Sequence, residues 1–287
     1  MIWLKWLGLA LGLLAIVAVA AALYGSWRWA DRTSTLLSRF EAVRLTPTPT
    51  RFDTRELEGL PAPVQRYFRV ALQDGQPIIA AMSVTHTGTF NMSETAEQWK
   101  PFTSKQRVIT RRPGFDWDAR VMISPGVPVL IHDAYIAGSG LLHGAIFGLV
   151  TVVNMADTPE IAQGELLRFF AEAAWYPTAL LPSQGVRWEA VDETSARATL
   201  TDGTLAVTLL FRFNKDGLIE TARAEARGRG VTDGKTVFAP WQCRFWNYAV
   251  RDGMRIPLEG EVAWILLEGA KLYYRGTTTS LIYEFAK

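Results

Sequence analysis

The sequence predicts an α+β protein in which one N-terminal membrane helix precedes a single strand-rich domain. Three observations carry this prediction: an uncharged apolar segment at the start, several later segments with alternating apolar and polar residues, and Asp-Gly pairs between those segments. We divide the 287-residue chain into a transmembrane anchor (1–25), a juxtamembrane helix with a Pro/Thr spacer (26–58) and one soluble domain (59–287).

The anchor is predicted from residues 6–24, about 19 residues without a charge, which is the length that a helix needs to cross the hydrocarbon core. The alternative is a cleaved secretory signal, because Ala20–Ala22 would suit a signal peptidase. We favour a retained anchor because the apolar segment is longer than that of a usual signal peptide. Aromatic residues typical of membrane interfaces flank both ends: Trp3, Trp6, Tyr24, Trp27 and Trp29.

The flanking charges leave the orientation open. A literal count of positive residues, Lys5 before the span against Arg28, Arg32 and Arg39 after it, places the large domain in the cytoplasm. The short N-terminal tail with one Lys resembles a signal-anchor, and long domains translocate regardless of charge. We therefore expect a single-pass protein of the bacterial inner (cytoplasmic) membrane with its large domain outside the cytoplasm.

Three helices and a spacer are predicted beyond the membrane. Residues 26–43 continue the helical pattern, and the alternating prolines of residues 45–50 then favour an extended spacer. A short helix is predicted over 60–72, where proline suits the first turn and apolar residues share one face. A second begins at Thr158, which can cap it, and ends before Pro177.

Strands fill the rest of the domain. Apolar residues alternate from Phe115 to Ile123 and again from Leu205 to Phe213, and two more strands are predicted near the C-terminus. Turn signals separate the strands, which predicts antiparallel hairpins: Asp202-Gly203, Asp216-Gly217, Asp233-Gly234 and Asp252-Gly253.

Residues 136–156 fit two interpretations. The segment is nearly uncharged and carries Gly140, Gly144 and Gly148 at four-residue spacing, as membrane helices that pack together do. Its glycines and its Thr-Val-Val end also fit a glycine-bent hairpin in a curved sheet.

Three runs carry a resemblance to a known family. LPAPVQRYF (60–68), HDAYIAGSG (132–140) and GELLRFFAEAAWYPTALL (164–181) resemble a bacterial family of membrane-anchored proteins known only as a domain of unknown function. More loosely, the order of strands around a mid-chain helix is similar to the periplasmic lipoprotein-carrier superfamily, which includes LolA and LppX. That resemblance implies an open half-barrel, a curved antiparallel sheet whose concave face binds acyl chains beneath covering helices.

Charge and composition exclude several classes. Lys and Arg (30) nearly balance Asp and Glu (28), so we expect no nucleic-acid partner. The lone Cys243 lies in a strand-like segment and is expected to be structural. His132 with His86 could form a metal pair, but His86, His132 and His143 lack a ligand spacing typical of metal sites, so we expect neither a metal nor a cofactor.

Eleven tryptophans suggest a large aromatic-lined cavity, and we expect a membrane-tethered binding domain for a lipid or another amphiphile in the bacterial envelope. Two alternatives stay open: a structural module that binds an envelope protein, and an enzyme on a lipid-like substrate with Glu165 or His132 as general base. We name no catalytic residue. The cavity residues that we predict are Trp117, Trp175, Tyr176, Trp264, Glu165 and, for the headgroup, Arg120.

Overall fold

A computed structural model describes residues 2–93, 95–232 and 234–287. The N-terminal apolar segment and the juxtamembrane segment form one continuous helix, α1 (Ile2–Val43). The side chains of residues 3–24 are exposed, whereas Gly25 and every few residues after it contact the sheet. Among the described residues, α1 is the one helix long and apolar enough to cross a membrane, as a single-pass anchor or a signal sequence would.

The described residues form one open antiparallel sheet of thirteen strands, in which all strands adjacent in the chain pair except β6 and β7. The sheet is not closed into a barrel, which confirms the predicted fold class. The strands are β1 (Ile79–Asn91), β2 (Trp99–Ile109), β3 (Gly114–Ser124), β4 (Val127–Ile136), β5 (Ser139–Ile146), β6 (Val150–Ala156), β7 (Arg187–Ala190), β8 (Ser195–Asp202), β9 (Leu205–Phe213), β10 (Ile219–Thr232), β11 (Lys235–Arg251), β12 (Met254–Leu266) and β13 (Gly269–Phe285).

The first and last strands meet in the middle of the sheet. β1 pairs with β2 on one side and with β13 on the other, so the sheet has one arm of β1–β6 and another of β13–β7. The two edge strands, β6 and β7, are consecutive in the chain, and the segment between them crosses the concave face. The sheet therefore wraps around its own connection.

That connection contains α3 (Pro159–Glu172) and three short 3-10 helices that follow it. The Thr158 side chain caps α3 by accepting a hydrogen bond from the Ile161 backbone N–H at 3.3 Å, as predicted. Helix α2 (Ala62–Ala71) covers the core near one end of the sheet, with Val64 and Phe68 fully buried. The main core lies between these helices and the concave face.

Residues 136–156 form the hairpin of β5 and β6, so the second-span interpretation is wrong. The turn at Gly148 has φ +71°, which glycine adopts without strain. The predicted Asp-Gly turns at 202–203, 216–217 and 252–253 also connect strands. Asp233 of the fourth pair lies outside the described residues.

The C-terminal half of α1 packs along the convex face of the sheet. Leu36 and Phe40 form a second apolar cluster with Ala81, Ile109 and Ile136. Near the end of α1, Arg107 pairs with Glu41 at 3.0 Å and with Glu284 at 2.6 Å. The helix is thus held to the sheet by apolar contacts and by ion pairs.

The packing of α1 buries part of the convex face of β3. Asp116, Asp118 and Arg120 point away from the concave side, where alternation alone would leave them solvated. Asp116 is instead buried beneath α1, where its carboxylate lies 2.9 Å from Nδ1 of His132. Only Arg120 of the three is exposed.

Candidate functional site

A cavity of about 1020 Å³ lies on the concave face, between α3 and the two arms of the sheet. Its volume is at the upper end of the range for small-molecule sites. Aromatic residues from both arms and from the end of α3 line its wall: Phe90, Trp117, Trp175, Trp241, Phe245, Trp264, Tyr273 and Tyr274.

Charged side chains cross the middle of this aromatic wall. Arg168 of α3 donates to Asp133 on β4 (Nη1 to Oδ2, 2.5 Å) and to Glu172 (Nε to Oε1, 2.8 Å). Its guanidinium carbon lies 5.0 Å from the ring centroid of Trp117. Gln106 on β2 donates to the other oxygen of Glu172 at 2.6 Å. Arg168 is therefore fully compensated by two carboxylates, which keeps it charged in a buried setting.

A second buried arginine faces α3 from the other arm. Arg227 on β10 donates from Nη2 to Oε1 of Glu165 at 3.2 Å, and its guanidinium lies 4.5 Å from the Trp241 ring centroid. Gly164 allows this approach, because a Cβ at that position would lie 3.3 Å from the Arg227 Nε. Both arms of the sheet are thus tied to α3 by an arginine–carboxylate pair.

The carboxyl group of Glu165 is the most perturbed acid of the site. Burial raises its pKa well above the ordinary value, and the negative charge of Asp133 raises it further, against the opposing effect of Arg227. Glu165 is thus a buried acid that lies between the carboxylate of Asp133 and the guanidinium of Arg227.

Two hydrogen-bond donors of the cavity wall are buried without a partner in the described part of the chain. They are the indole Nε1 of Trp117 and the Nε of Arg227. A buried donor without an acceptor costs about 1–3 kcal/mol, so such groups commonly mark a position where a ligand or water supplies the acceptor. The cavity therefore combines an aromatic wall with donors that fit acceptor oxygens.

Four of the six predicted site residues line this cavity: Trp117, Trp175, Trp264 and Glu165. Trp175 is fixed by its indole N–H, which donates to the Pro257 carbonyl at 2.9 Å, and Trp264 stacks on Tyr273. Tyr176 is fully buried beside the cavity, and its hydroxyl donates to the Phe169 carbonyl.

Arg120 is not among the lining residues. It lies exposed on the convex face of β3, because side chains alternate along a strand and Trp117 and Arg120 have opposite parity. The structure thus brings together the aromatic residues and Glu165, and it places Arg168 and Arg227 rather than Arg120 in the cavity wall.

Sequence reasoning missed the central residues Asp133, Arg168, Glu172 and Arg227 as a group. One signal was available: Arg168 stands three residues after Glu165 and four before Glu172, so all three lie on one helix face that also carries buried apolar residues. Arg227 gave no comparable signal, because it lies in an arginine-rich strand with Arg223 and Arg229.

The histidines and the cysteine considered for chemistry are buried within the protein. His132 lies under α1 on the convex face, so of the two candidate general bases only Glu165 lines the cavity. His86 is buried against Trp175, and burial lowers its pKa to about 3. Cys243 is buried in the cavity wall, and burial raises the pKa of its thiol. Within residues 2–93, 95–232 and 234–287, no group of three His, Cys, Asp or Glu side chains is placed to hold a metal ion.

Fold and cavity define this chain as an open antiparallel half-barrel that carries an internal cavity and follows an apolar N-terminal helix. Residues 58–283 match the model of a family of unknown function, DUF6920. The chain belongs to this family, as the resemblance of the three sequence runs indicated.

Solved structures of related shape are more distant. The crystal structure of the LolA superfamily protein NE2245 from Nitrosomonas europaea covers 77% of this chain and 92% of its own, with 12% identity and a TM-score of 0.33. The match to a beta-barrel-like protein of the domain of unknown function DUF1849 from Brucella abortus covers 72% of this chain and 99% of that protein's chain, with 9% identity and a TM-score of 0.22. A comparison with curated proteins gave no match.

Proposed function

We propose that this protein is a membrane-tethered binding protein for a lipid or a similar amphiphile in the bacterial envelope. The observation that carries the proposal is the cavity of about 1020 Å³, whose aromatic wall surrounds a compensated group of buried charges with two unpartnered donors. An apolar wall with a few convergent polar groups is the usual construction of a small-molecule site.

The two parts of the cavity fit the two parts of an amphiphile. The aromatic wall removes the apolar part from water, which contributes roughly 0.8 kcal/mol for each buried methylene. The Trp117 indole and the Arg227 guanidinium donate to oxygens of the headgroup. Because five acidic and five basic side chains line the cavity, a neutral headgroup with ester, amide or hydroxyl oxygens suits the site better than one with a strong net charge.

The N-terminal helix keeps the cavity beside a bilayer. We propose that α1 is retained as a single-pass anchor of the inner membrane. The N-terminal tail with Lys5 remains in the cytoplasm, and the domain lies on the extracytoplasmic side. A binding domain fixed to its membrane meets lipid-like ligands at a high local concentration.

Organic extraction followed by mass spectrometry tests the proposal. The full chain is purified from its host envelope in a detergent with a known mass, and co-purified amphiphiles are quantified. We expect one amphiphile class at near-stoichiometric amounts in the wild type. We expect strong depletion in Trp264→Ala, and we expect the fold to persist because this lining residue is only half-buried.

The matched control is Trp246→Ala on the neighbouring strand β11. Trp246 is also half-buried, but it does not line the cavity, and its indole N–H donates to Glu259 at 3.0 Å. This variant should keep the wild-type ligand content. A folded wild type that yields only purification detergent would refute the resident-amphiphile proposal, and equal losses in both variants would show that the lining tryptophan has no specific part.

A further inference from the structure

We propose that the cavity opens onto the membrane in which α1 is anchored, and that one end of the sheet is a membrane-docking surface. This inference rests on the proposed function for the identity of the ligand and for the retained anchor. It adds the route: the amphiphile enters from the bilayer through that end of the sheet. The docking surface is called the membrane rim below and consists of the described residues of the β1–β2 turn (92–93 and 95–98), the β5–β6 turn (147–149) and the β12–β13 turn (267–268).

The path of α1 fixes which end of the sheet faces the bilayer. The uncharged span ends at Tyr24, and Gly25 lies directly against the β5–β6 turn. A Cβ on Gly25 would lie 2.2 Å from the Phe147 carbonyl oxygen. From there α1 runs along the sheet, and the Leu45 N–H donates to the Arg111 carbonyl at the opposite end, between β2 and β3. The span therefore leaves the sheet at the β5–β6 turn.

The hairpin topology places the other two turns at this same end. In a sheet of hairpins the turns alternate between its two ends. The β1–β2 and β12–β13 turns lie at the same end of the sheet as the β5–β6 turn. This follows from the pairing registers of β1 with β2 and β13, and of β2 through β5. The β2–β3 turn and the Asp252-Gly253 turn lie at the other end.

The membrane rim exposes apolar side chains that water disfavours. Leu267 is fully exposed, Met92 is 41% exposed and Phe147 is 39% exposed, one in each of the three turns. Val150 and Val152 extend the apolar surface along the edge strand β6. Exposed apolar residues that surround one end of a domain mark an interaction surface. Because the anchored helix leaves from this end, the bilayer itself is the partner that the surface meets.

The cavity reaches this same end. Met92 and Ser93 of the β1–β2 turn line it, and so do Trp264 and Lys271, which flank the β12–β13 turn. The other end is occupied by α2 and by the 3-10 helices, where Thr178 accepts a hydrogen bond from the Ile79 N–H at 3.0 Å. An amphiphile that enters through the membrane rim keeps its apolar part out of water throughout the transfer.

Site-directed fluorescence on the full chain tests this inference. On a Cys243→Ala background, single cysteines at Phe147, Met92 or Leu267 are labelled with the polarity-sensitive dye NBD. The protein is reconstituted in phosphatidylcholine vesicles that contain a phosphatidylcholine spin-labelled on its acyl chain. We expect a blue-shifted emission and quenching by the spin label at all three positions.

The control position is Val250, which is 56% exposed next to the Asp252-Gly253 turn at the opposite end. Its label should emit as in water and should not be quenched. Quenching at Val250 but not at the membrane rim, or no quenching at any of the four positions, would overturn the inference.

The Cys243→Ala change can disturb the fold, so a lipid-borne diazirine probe on the wild-type chain, with modified peptides mapped by mass spectrometry, gives a second reading. Quenching requires no bound ligand, so this test and the extraction experiment can fail independently.

Discussion

The indole ring of Trp29 stacks on the imidazole of His132, with ring centroids 4.5 Å apart and planes 13° apart. The indole N–H donates to Asp118 at 2.9 Å, and Thr33 one turn later lies 3.0 Å from Nε2 of His132. His132 in turn contacts Asp116 through Nδ1. This group joins α1 to β3 and β4, so the convex face of the sheet sets the direction of the helix.

The first prediction concerns this attachment. Trp29→Ala removes a stacked, 7% exposed side chain, and we expect it to weaken the docking of residues 26–43 by about 3 kcal/mol. Hydrogen exchange of the full chain in detergent micelles should show faster exchange in that segment. The control is Trp27→Ala, whose side chain is 64% exposed and should leave exchange unchanged. Equal exchange in the two variants would contradict the attachment.

The second prediction concerns the buried charges of the cavity. Arg168→Met removes the cation shared by Asp133 and Glu172, so two buried carboxylates lose their partner, and we expect a loss of about 3–5 kcal/mol in the free energy of unfolding. Urea titration followed by tryptophan fluorescence measures it.

The matched control for this substitution is Arg187→Met. Its ion pair with Glu189 is largely exposed, and a pair of that kind contributes less than about 1 kcal/mol. Similar losses in the two variants would show that burial of Arg168 does not determine its contribution.

The third prediction is a pH dependence from Glu165. Its pKa is raised in the folded state, so above the ordinary value of 4.5 the folded protein binds a proton that the unfolded chain releases. The stability of the wild type relative to Glu165→Gln should therefore fall as the pH rises from 4.5, by at most about 1.4 kcal/mol per pH unit, until the folded-state group ionises. Unfolding curves of both proteins across this range measure the difference. A difference that rises with pH would show that the pKa of Glu165 is not raised in the folded state.

The fourth prediction concerns His86, whose two ring nitrogens are buried without a partner in the described residues. Burial and the charge of Arg168 lower its pKa from 6.5 to about 3, so protonation of the unfolded chain destabilises the wild type as the pH falls below 6.5. His86→Leu removes this loss and the cost of the unpaired polar group. We expect the variant to be about 1 kcal/mol more stable at pH 8.

The advantage of His86→Leu should grow below pH 6.5, because only the wild type then loses stability through this group. Thermal unfolding at several pH values measures both effects. A variant that is less stable than the wild type at every pH would show that the imidazole has a partner, such as an ordered water.

Much of the fold could be predicted because the local signals agreed with the final structure. The alternation from Phe115 to Ile123 and the Asp-Gly pairs identified hairpins, and Thr158 and Pro159 fixed the start of α3. The order of the strands is not visible locally. That β1 pairs with β13 depends on contacts between residues about two hundred positions apart, which no periodicity records.

The aromatic lining of the candidate site could be predicted from residue type alone. Most of its charged residues could not, because their place in the site depends on the three-dimensional arrangement of the strands. Large aromatic residues at Trp117, Trp175 and Trp264 suggested a cavity, and they line one. The prediction of Arg120 required the non-aromatic side of its strand to face a cavity, but that side faces away from the cavity that Trp117 lines. Arg227 reaches Glu165 only because the two arms of the sheet curve towards each other around α3.

The continuity of α1 has a mechanical consequence. In the anchored protein that we propose, one uninterrupted helix both crosses the lipid and lies against β3 and β4, so a change in the inclination of the span turns the sheet with it. Membrane helices adjust their inclination to the thickness of the surrounding hydrocarbon. Bilayer thickness would thereby change the position of the cavity entrance relative to the lipid. Ligand exchange would then depend on the lipid composition around the protein.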